Sequence, residues 1–408
     1  MFLQILIILL TARVLAVVLR YLGQPPVIGE MAAGFVLGPM LFGWLMPDLQ
    51  QQLFAPANLH EVQGIGQLGL VLFMFLMGAE LRIAECGAAR QVRAAVQLAG
   101  LSLLLPMLLG VALAPLLYPG MAPAGIAFWP FAFFIGTALS VTALPVMARI
   151  LKERKLAESE PGRLALSAAA IGDVVAWLML AVVVAASKSN LNWAHLGLTL
   201  LGLAVLCGVV FGVLRPLIAR YLQRGTAHEP LRVRDMGALL GGALLCAYAT
   251  ELLQVHAAFG AFLFGLSLPR DERIAGALQK RIEPLVLLVL MPCFFVLAGL
   301  NTTGNAFVVT GMSLFALILG VAIVGKIVAG SAAARIAGLP WRDCLMVGAL
   351  MNTRGVVELV FLKVGLDAGL IGAELFTLLF MTALITTLMT TPLISLISHV
   401  APHRQWTQ

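Results

Sequence analysis

The sequence predicts an all-α polytopic membrane protein, and three observations carry that prediction. Of 408 residues, 61% are hydrophobic and 11% charged, with a mean hydropathy of +1.01, far from the balance of soluble domains. Apolar runs long enough to cross a hydrocarbon layer of roughly 30 Å follow one another with short polar connections. Each run must be helical, because hydrocarbon offers no partner to an open backbone. Finally, the basic residues sort to one side of the runs.

Taken in order, the runs predict helices at 2–20, 27–45, 61–82, 91–118, 125–153, 163–187, 193–222, 234–253, 256–270, 283–300, 307–337, 341–366 and 370–398, thirteen in all. The first has no basic leading segment and no small-residue cleavage site, and its flanking charge, Arg20, follows it. It reads as a retained helix, not a secretory signal. The count is tested by charge, since one miscounted span would invert the bias of every later loop. Of the 26 basic residues, Arg13, Lys326, Arg354 and Lys363 lie within spans and Lys188 lies on one side. All the others, from Arg20 to Arg404, fall on the opposite side, so thirteen crossings put the N-terminus outside and the C-terminus in the cytoplasm. The net charge of +7 then belongs to cytoplasmic loops facing anionic lipid and implies no nucleic-acid partner. The five cysteines, Cys86, Cys207, Cys246, Cys293 and Cys344, have no metal-ligand spacing and read as small packing residues.

Thirteen helices divide into six, one linker and six, so the second six enter from the opposite side, as inverted repeats of secondary transporters do. The expected organisation is one membrane transport domain, 1–398, made of a first six-helix repeat (1–187), a linker helix (193–222) and an inverted six-helix repeat (234–398). A short cytoplasmic tail, 399–408, would follow with no soluble regulatory domain. Matching helices of the two halves are both interrupted. The fifth contains TALSVTALPVMARI (137–150), where Pro145 cannot donate to the Val141 carbonyl and the hydroxyls of Thr137, Ser140 and Thr142 gather. Its counterpart contains GALMNTRGVVELV (348–360), where Asn352, Thr353, Arg354, Gly355 and Glu358 break the apolar run. Two breaks in corresponding positions point to a midplane site at which freed carbonyls and half-helix ends meet an ion. A proline kink and a polar helix contact are the plainer alternatives.

Asp173 lies ten residues into the helix that starts near Arg163, so at about 1.5 Å per residue it is roughly 15 Å deep. Lys326 reaches a similar depth from the end at Ala337. A charge there costs at least a few kcal/mol, which marks both residues as functional candidates. Two readings of the pair stand. Asp173 is a carboxylate that holds a proton and a monovalent cation in turn, with help from the backbone near Thr142, or it is a neutral acid with Lys326 as a structural companion.

Taken together, GQPPVIGEMAAGFVLGPMLFG (23–43), GLVLFMFLMGAEL (69–81), ALSVTALPVMARILKERKL (138–156), LALSAAAIGDVVAW (164–177), HAAFGAFLFGLSLP (256–269), LMPCFFVLAGL (290–300) and MNTRGVVELVFLKVGLD (351–367) resemble the second branch of monovalent cation/proton antiporters. That branch holds bacterial sodium/proton antiporters, glutathione-gated potassium efflux systems and plant cation/proton exchangers. The resemblance implies a sodium/proton antiporter-like fold with a core of two crossed discontinuous helices, a separate dimerisation bundle and elevator-type alternating access. It implies that Asp173 is the ion-binding carboxylate, that Lys326 is the core's supporting charge, and that Arg354 and Glu358 are the polar pair of the second broken helix. Glu30 and Glu80 also match family positions. No cofactor is implied and no enzyme activity; the implied partners are K+ or Na+, H+, lipid, a second copy of the chain and a separate cytoplasmic regulator. The implied location is a bacterial inner membrane. The chain departs from the family at Gly172, where an Asp or Asn usually precedes the ion-binding Asp. A single carboxylate implies electroneutral exchange of one cation for one proton, and the missing amide leaves Lys326 without its usual neighbour.

Two rival classes are weaker. An intramembrane aspartyl protease needs a second membrane aspartate, and Asp48, Asp235, Asp271, Asp343 and Asp367 all fall in loops or at span ends. A cation channel on the same helices would more often carry a ring-forming filter sequence, which is not found. The similarity of residues 351–367 to plant exchangers favours K+ over Na+ slightly.

Overall fold

The structure, a computed structural model, describes residues 1–55, 58–80, 89–188, 193–223, 231–253, 255–269 and 271–400. All regular structure in the described residues is helical. In chain order the helices are α1 (Phe2–Tyr21), α2 (Pro26–Leu37), α3 (Phe42–Leu45), α4 (Pro47–Leu53), α5 (His60–Glu80), α6 (Ala89–Met121), α7 (Phe128–Ser140), α8 (Leu144–Glu153), α9 (Glu160–Lys188), α10 (Trp193–Val209) and α11 (Arg215–Gln223). They continue with α12 (Val233–Leu252), α13 (Ala257–Ser267), α14 (Glu272–Arg281), α15 (Glu283–Leu285), α16 (Met291–Leu300), α17 (Ala306–Ile336), α18 (Trp341–Met351), α19 (Val356–Asp367) and α20 (Ala373–Val400). Wider π-turns join α10 to α11 and α15 to α16.

Ten helical stretches among the described residues are long and apolar enough to cross a bilayer. Three of the thirteen segments expected from the sequence are helical but do not meet that measure, each for a visible reason. Helix α12 carries Arg234, Asp235 and Glu251, α13 has only 11 residues, and α18 and α19 are separated by a break. The span expected at 27–45 is also divided, since α2 ends at Gly38 and a short α3 follows. The tail expected at 399–408 and the basic residues Arg82, Arg224, Arg270 and Arg404, with Cys86, lie outside the described residues apart from the end of α20.

The helices sort into two packed groups. One holds α6, α7, α8, α9, α17, α18, α19 and α20; the other holds α1, α2, α5, α12, α13 and α16, and α10 touches α9 while the turn after it touches α13. Within the second group the backbones meet at glycine, because apolar side chains gain nothing from leaving lipid and close van der Waals approach must hold the helices instead. A methyl group at Gly299 of α16 would lie 1.9 Å from the carbonyl oxygen of Gly34 on α2, and one at Gly38 would lie 2.5 Å from that of Gly299. The pair Gly78 and Gly265 does the same between α5 and α13.

One bond joins the groups at the α1–α2 turn. The Gln24 Nε2 amide donates to the Leu388 carbonyl of α20 at 2.9 Å. Pro392 lies inside α20 and has no N–H to give that carbonyl, so Gln24 takes the place of the missing helical donor.

The glycine contacts predict an asymmetry. Gly299→Val should lower thermal stability by about 1–3 kcal/mol or more through overpacking. Gly320→Ala, with nothing within 4 Å of the added carbon, should be neutral or gain up to about 1 kcal/mol. Melting of the detergent-solubilised protein checks both.

Candidate functional site

The site begins where two helices stop short. Helix α7 ends at Ser140 and α8 starts at Leu144, with Val141 (φ −64°, ψ 142°) and Ala143 (φ −86°, ψ 97°) extended between them. Pro145 sits in the first turn of α8, where its missing N–H costs nothing, so it starts the second half-helix instead of kinking a continuous one. Helix α18 ends at Met351 and α19 starts at Val356, with Gly355 extended (φ 164°, ψ −138°). The two breaks cross in contact. Ala143 N–H donates to the Thr353 carbonyl at 3.0 Å, and the Thr142 hydroxyl donates to the Met351 carbonyl at 3.2 Å. Gly355 permits the approach, since a methyl there would lie 2.6 Å from Val146 Cγ2.

A helix that stops inside a membrane leaves carbonyls without partners. Two cations take those of α7. Arg354 donates through Nη1 to Ala138 O at 3.2 Å and through Nη2 to Leu139 O at 2.7 Å, and Lys326 Nζ donates to Ser140 O. Positive charge at a helix C-terminus is also favoured by the helix dipole. Arg354 is held by Glu358 at 2.6 Å, both fully buried, and by Thr387 of α20, whose hydroxyl accepts from Arg354 N–H at 3.1 Å and is 2.8 Å from Arg354 O. The Lys326 ammonium also donates to Thr142 Oγ1 at 2.6 Å and to the Ser102 carbonyl of α6 at 3.1 Å. Its three donors are thus spent on three oxygens, none of them on Asp173.

Asp173, 4% exposed, lies on α9 against the start of α8. Its carboxyl group faces the backbone N–H of Leu144, the first residue of α8, which places it at a helix N-terminus. Its Oδ1 has no hydrogen-bond partner. Beside it, Gly172 faces open space, with nothing within 4 Å of a carbon added there.

The remaining expected residues divide. Asn352 donates to Thr386 O at 3.4 Å while its Oδ1 has no partner, and Thr353 takes part through its backbone while its hydroxyl has none. Thr137 lies a turn before the break with its hydroxyl bonded to Phe133 O. The Ser140 and Thr142 oxygens expected near a cation are engaged by Lys326. Glu30 is buried within α2 with Arg13 and Arg149 as its charged neighbours. Glu80 ends α5 exposed, lining a cavity of about 470 Å³ with Arg163, Ser167 and Asp271. A second cavity, of about 680 Å³, opens toward the other end of α9 between Gln67, Val184 and His256. Asp173 lines neither, and lies between them along α9. Sequence reasoning missed Ser102, Leu144 and Thr387: the first two act through backbone atoms, and the third is one of several threonines in its helix.

A helical membrane protein in which a buried carboxylate meets two crossed, interrupted helices has the architecture of a secondary transporter. The chain belongs to the sodium/hydrogen exchanger family, whose transmembrane model matches residues 5–398. It is 36% identical over 396 residues to Cation/H(+) antiporter 18 of Arabidopsis thaliana, across 96% of this chain and 48% of that protein. It is 33% identical over 393 residues to the Na(+)/H(+) antiporter NhaS4 of Synechocystis sp., across 96% of this chain and 95% of that one. The chain thus spans about half the length of the plant relatives it matches and nearly all of the cyanobacterial one. Its fold matches the sodium proton antiporter MjNhaP1 of Methanocaldococcus jannaschii with a TM-score of 0.64 at 16% identity, covering 96% of this chain and 97% of that one.

Because Arg354 and Glu358 are both fully buried, Arg354→Met should cost about 3–5 kcal/mol by leaving a carboxylate and two carbonyls without partners. The double variant Arg354→Met/Glu358→Met should melt higher than that single one. Thermal unfolding in detergent checks the order.

Proposed function

We propose that this chain exchanges a monovalent cation for a proton across the membrane, with both ions using Asp173 in turn. The observation that carries the reading is the carboxylate itself: buried between two cavities, facing Leu144 N–H, with a free oxygen and no ammonium bonded to it. A proton or a partly dehydrated cation is the chemistry that such an oxygen accepts. The antiporters named among its relatives agree with this reading.

In this reading the group around α9 moves past the group around α5, so that Asp173 opens first to one cavity and then to the other. One carboxylate carries one charge, which makes the exchange one cation for one proton and electroneutral. The cation is K+ or Na+. The six, one and six division of thirteen crossings, the outside N-terminus and cytoplasmic C-terminus in a bacterial inner membrane, a homodimer and a separate cytoplasmic regulator belong to the same proposal. The distribution of basic residues supports the orientation. Lys326, Arg354 and Glu358 hold the crossover, and Thr142, Asn352, Thr353 and Gly355 shape it.

The test is dye-reported proton movement in proteoliposomes with an imposed pH gradient, on addition of Na+, K+, Li+ or Rb+. The wild type should dissipate the gradient with at least one cation, which names the substrate. Asp173→Asn should abolish this while melting no lower than wild type, because a costly buried acid has gone. Near-normal exchange by that variant would overturn the assignment. Current without proton coupling would place the chain among channels.

A further inference from the structure

The lysine at the crossover is held by an acceptor that a proline creates. In an α-helix the carbonyl of residue 102 accepts from the N–H of residue 106. Here residue 106 is Pro106, inside α6, which has no N–H. The Ser102 carbonyl therefore lacks its helical donor in a buried position, where an unpartnered backbone oxygen is costly. Lys326 Nζ reaches across from α17 and donates to it at 3.1 Å. The two helices are close enough for this because the residue before the lysine is Gly325: a methyl there would lie 3.1 Å from Leu109 Cδ1 and 3.5 Å from Pro106 Cα.

We propose that Pro106 is a positioning residue of the ion site: by freeing the Ser102 carbonyl it draws one ammonium proton of Lys326 toward α6 and so keeps Lys326 off Asp173. The remaining two protons go to Ser140 O and Thr142 Oγ1 across the α7–α8 break. All three donors are then committed, and Asp173 Oδ1 keeps no partner. With an N–H at position 106 the Ser102 carbonyl is satisfied within α6, one donor of Lys326 is released, and the nearby partnerless carboxylate oxygen is an acceptor for it. An ammonium bonded to Asp173 competes with the transported cation. The charged groups around Lys326 are Asp173 on α9, and Arg354 and Glu358 at the second break. Those two are bonded to each other through Glu358 Oε1, while Glu358 Oε2, like Asp173 Oδ1, has no hydrogen-bond partner, so a released donor has a carboxylate oxygen on either side of it, and the transport arm reads the share that goes to Asp173.

The proposal rests on the reading of Asp173 as the exchange site for its transport arm, and is tested by a second arm that does not. In proteoliposomes, Pro106→Ala should raise the KM for the cation by about threefold or more, and move the pH of half-maximal exchange while the maximal rate stays within about twofold of wild type. A purely structural proline would lower yield and maximal rate together. In detergent, a melting cycle compares wild type, Pro106→Ala, Lys326→Met and the double variant of the full chain. Losing the ammonium orphans Ser102 O only when Pro106 is present, so Lys326→Met should cost clearly less in the Pro106→Ala background. Pro115→Ala, in the same helix, should show no such coupling to Lys326→Met. If Lys326→Met does not accumulate folded, Lys326→Gln takes its place in the cycle. Additive melting shifts overturn the proposal, as do an unchanged KM and pH midpoint in Pro106→Ala. Exchange that survives in Asp173→Asn would sink the reading of the exchange site while leaving the melting cycle to decide the role of Pro106.

Discussion

Everything at the centre of this protein follows from one constraint: a helix cannot end inside hydrocarbon unless its exposed backbone groups find partners. Four helix ends meet at the crossover, and each is closed by a different device. The carbonyls of Ala138, Leu139 and Ser140 are taken by Arg354 and Lys326, Met351 O by the Thr142 hydroxyl, and the N–H of Arg354 by Thr387, while the N–H of Leu144 faces Asp173. Cations stand at a C-terminus and an anion at an N-terminus, so the charges that look prohibitive when read one at a time complete the dipoles of the half-helices. Removing Arg354 or Lys326 therefore leaves backbone carbonyls without partners as well as disturbing the balance of buried charge.

The packing around the crossover has a different character from the packing beside it. Near the break, side chains of several helices interlock through hydrogen bonds, and a change at one position is felt at the next. Glycine lets backbones touch directly in both groups, at Gly110 and Gly136 between α6 and α7 and at Gly330 and Gly348 between α17 and α18 as at Gly34 and Gly299 between α2 and α16; in the group containing α2, α5, α13 and α16 these contacts have no buried ion pair beside them among the described residues. Relative movement of the two groups would have to break the specific bonds between them, and Gln24 to Leu388 is one of these.

Much of this was readable in the chain. Asp173 and Lys326 stand out as charges in apolar runs, and the two interruptions are visible as a proline among hydroxyls and as Asn352 to Gly355. Their meeting in space was legible only through the symmetry of the spans. What could not be read was pairing. The sequence leaves Lys326 open to a bond with Asp173, but the ammonium is spent on oxygens of α6 and of the break, two of them backbone carbonyls that carry no residue-type signal. The one clue was a proline four residues after Ser102, which marks a freed acceptor without saying which donor will come. Span lengths were similarly approximate: α12 holds charges at both ends and α13 is short, features that a hydropathy window blurs into their neighbours.

The open space at Gly172 has a consequence for how such a scaffold diversifies. A first side-chain carbon can be added next to Asp173 without meeting any atom within 4 Å, so the residue type beside that carboxylate is only loosely tied to the packing of α9. The charge carried at this depth is then a property that one codon can alter, while the crossover beside it stays as it is.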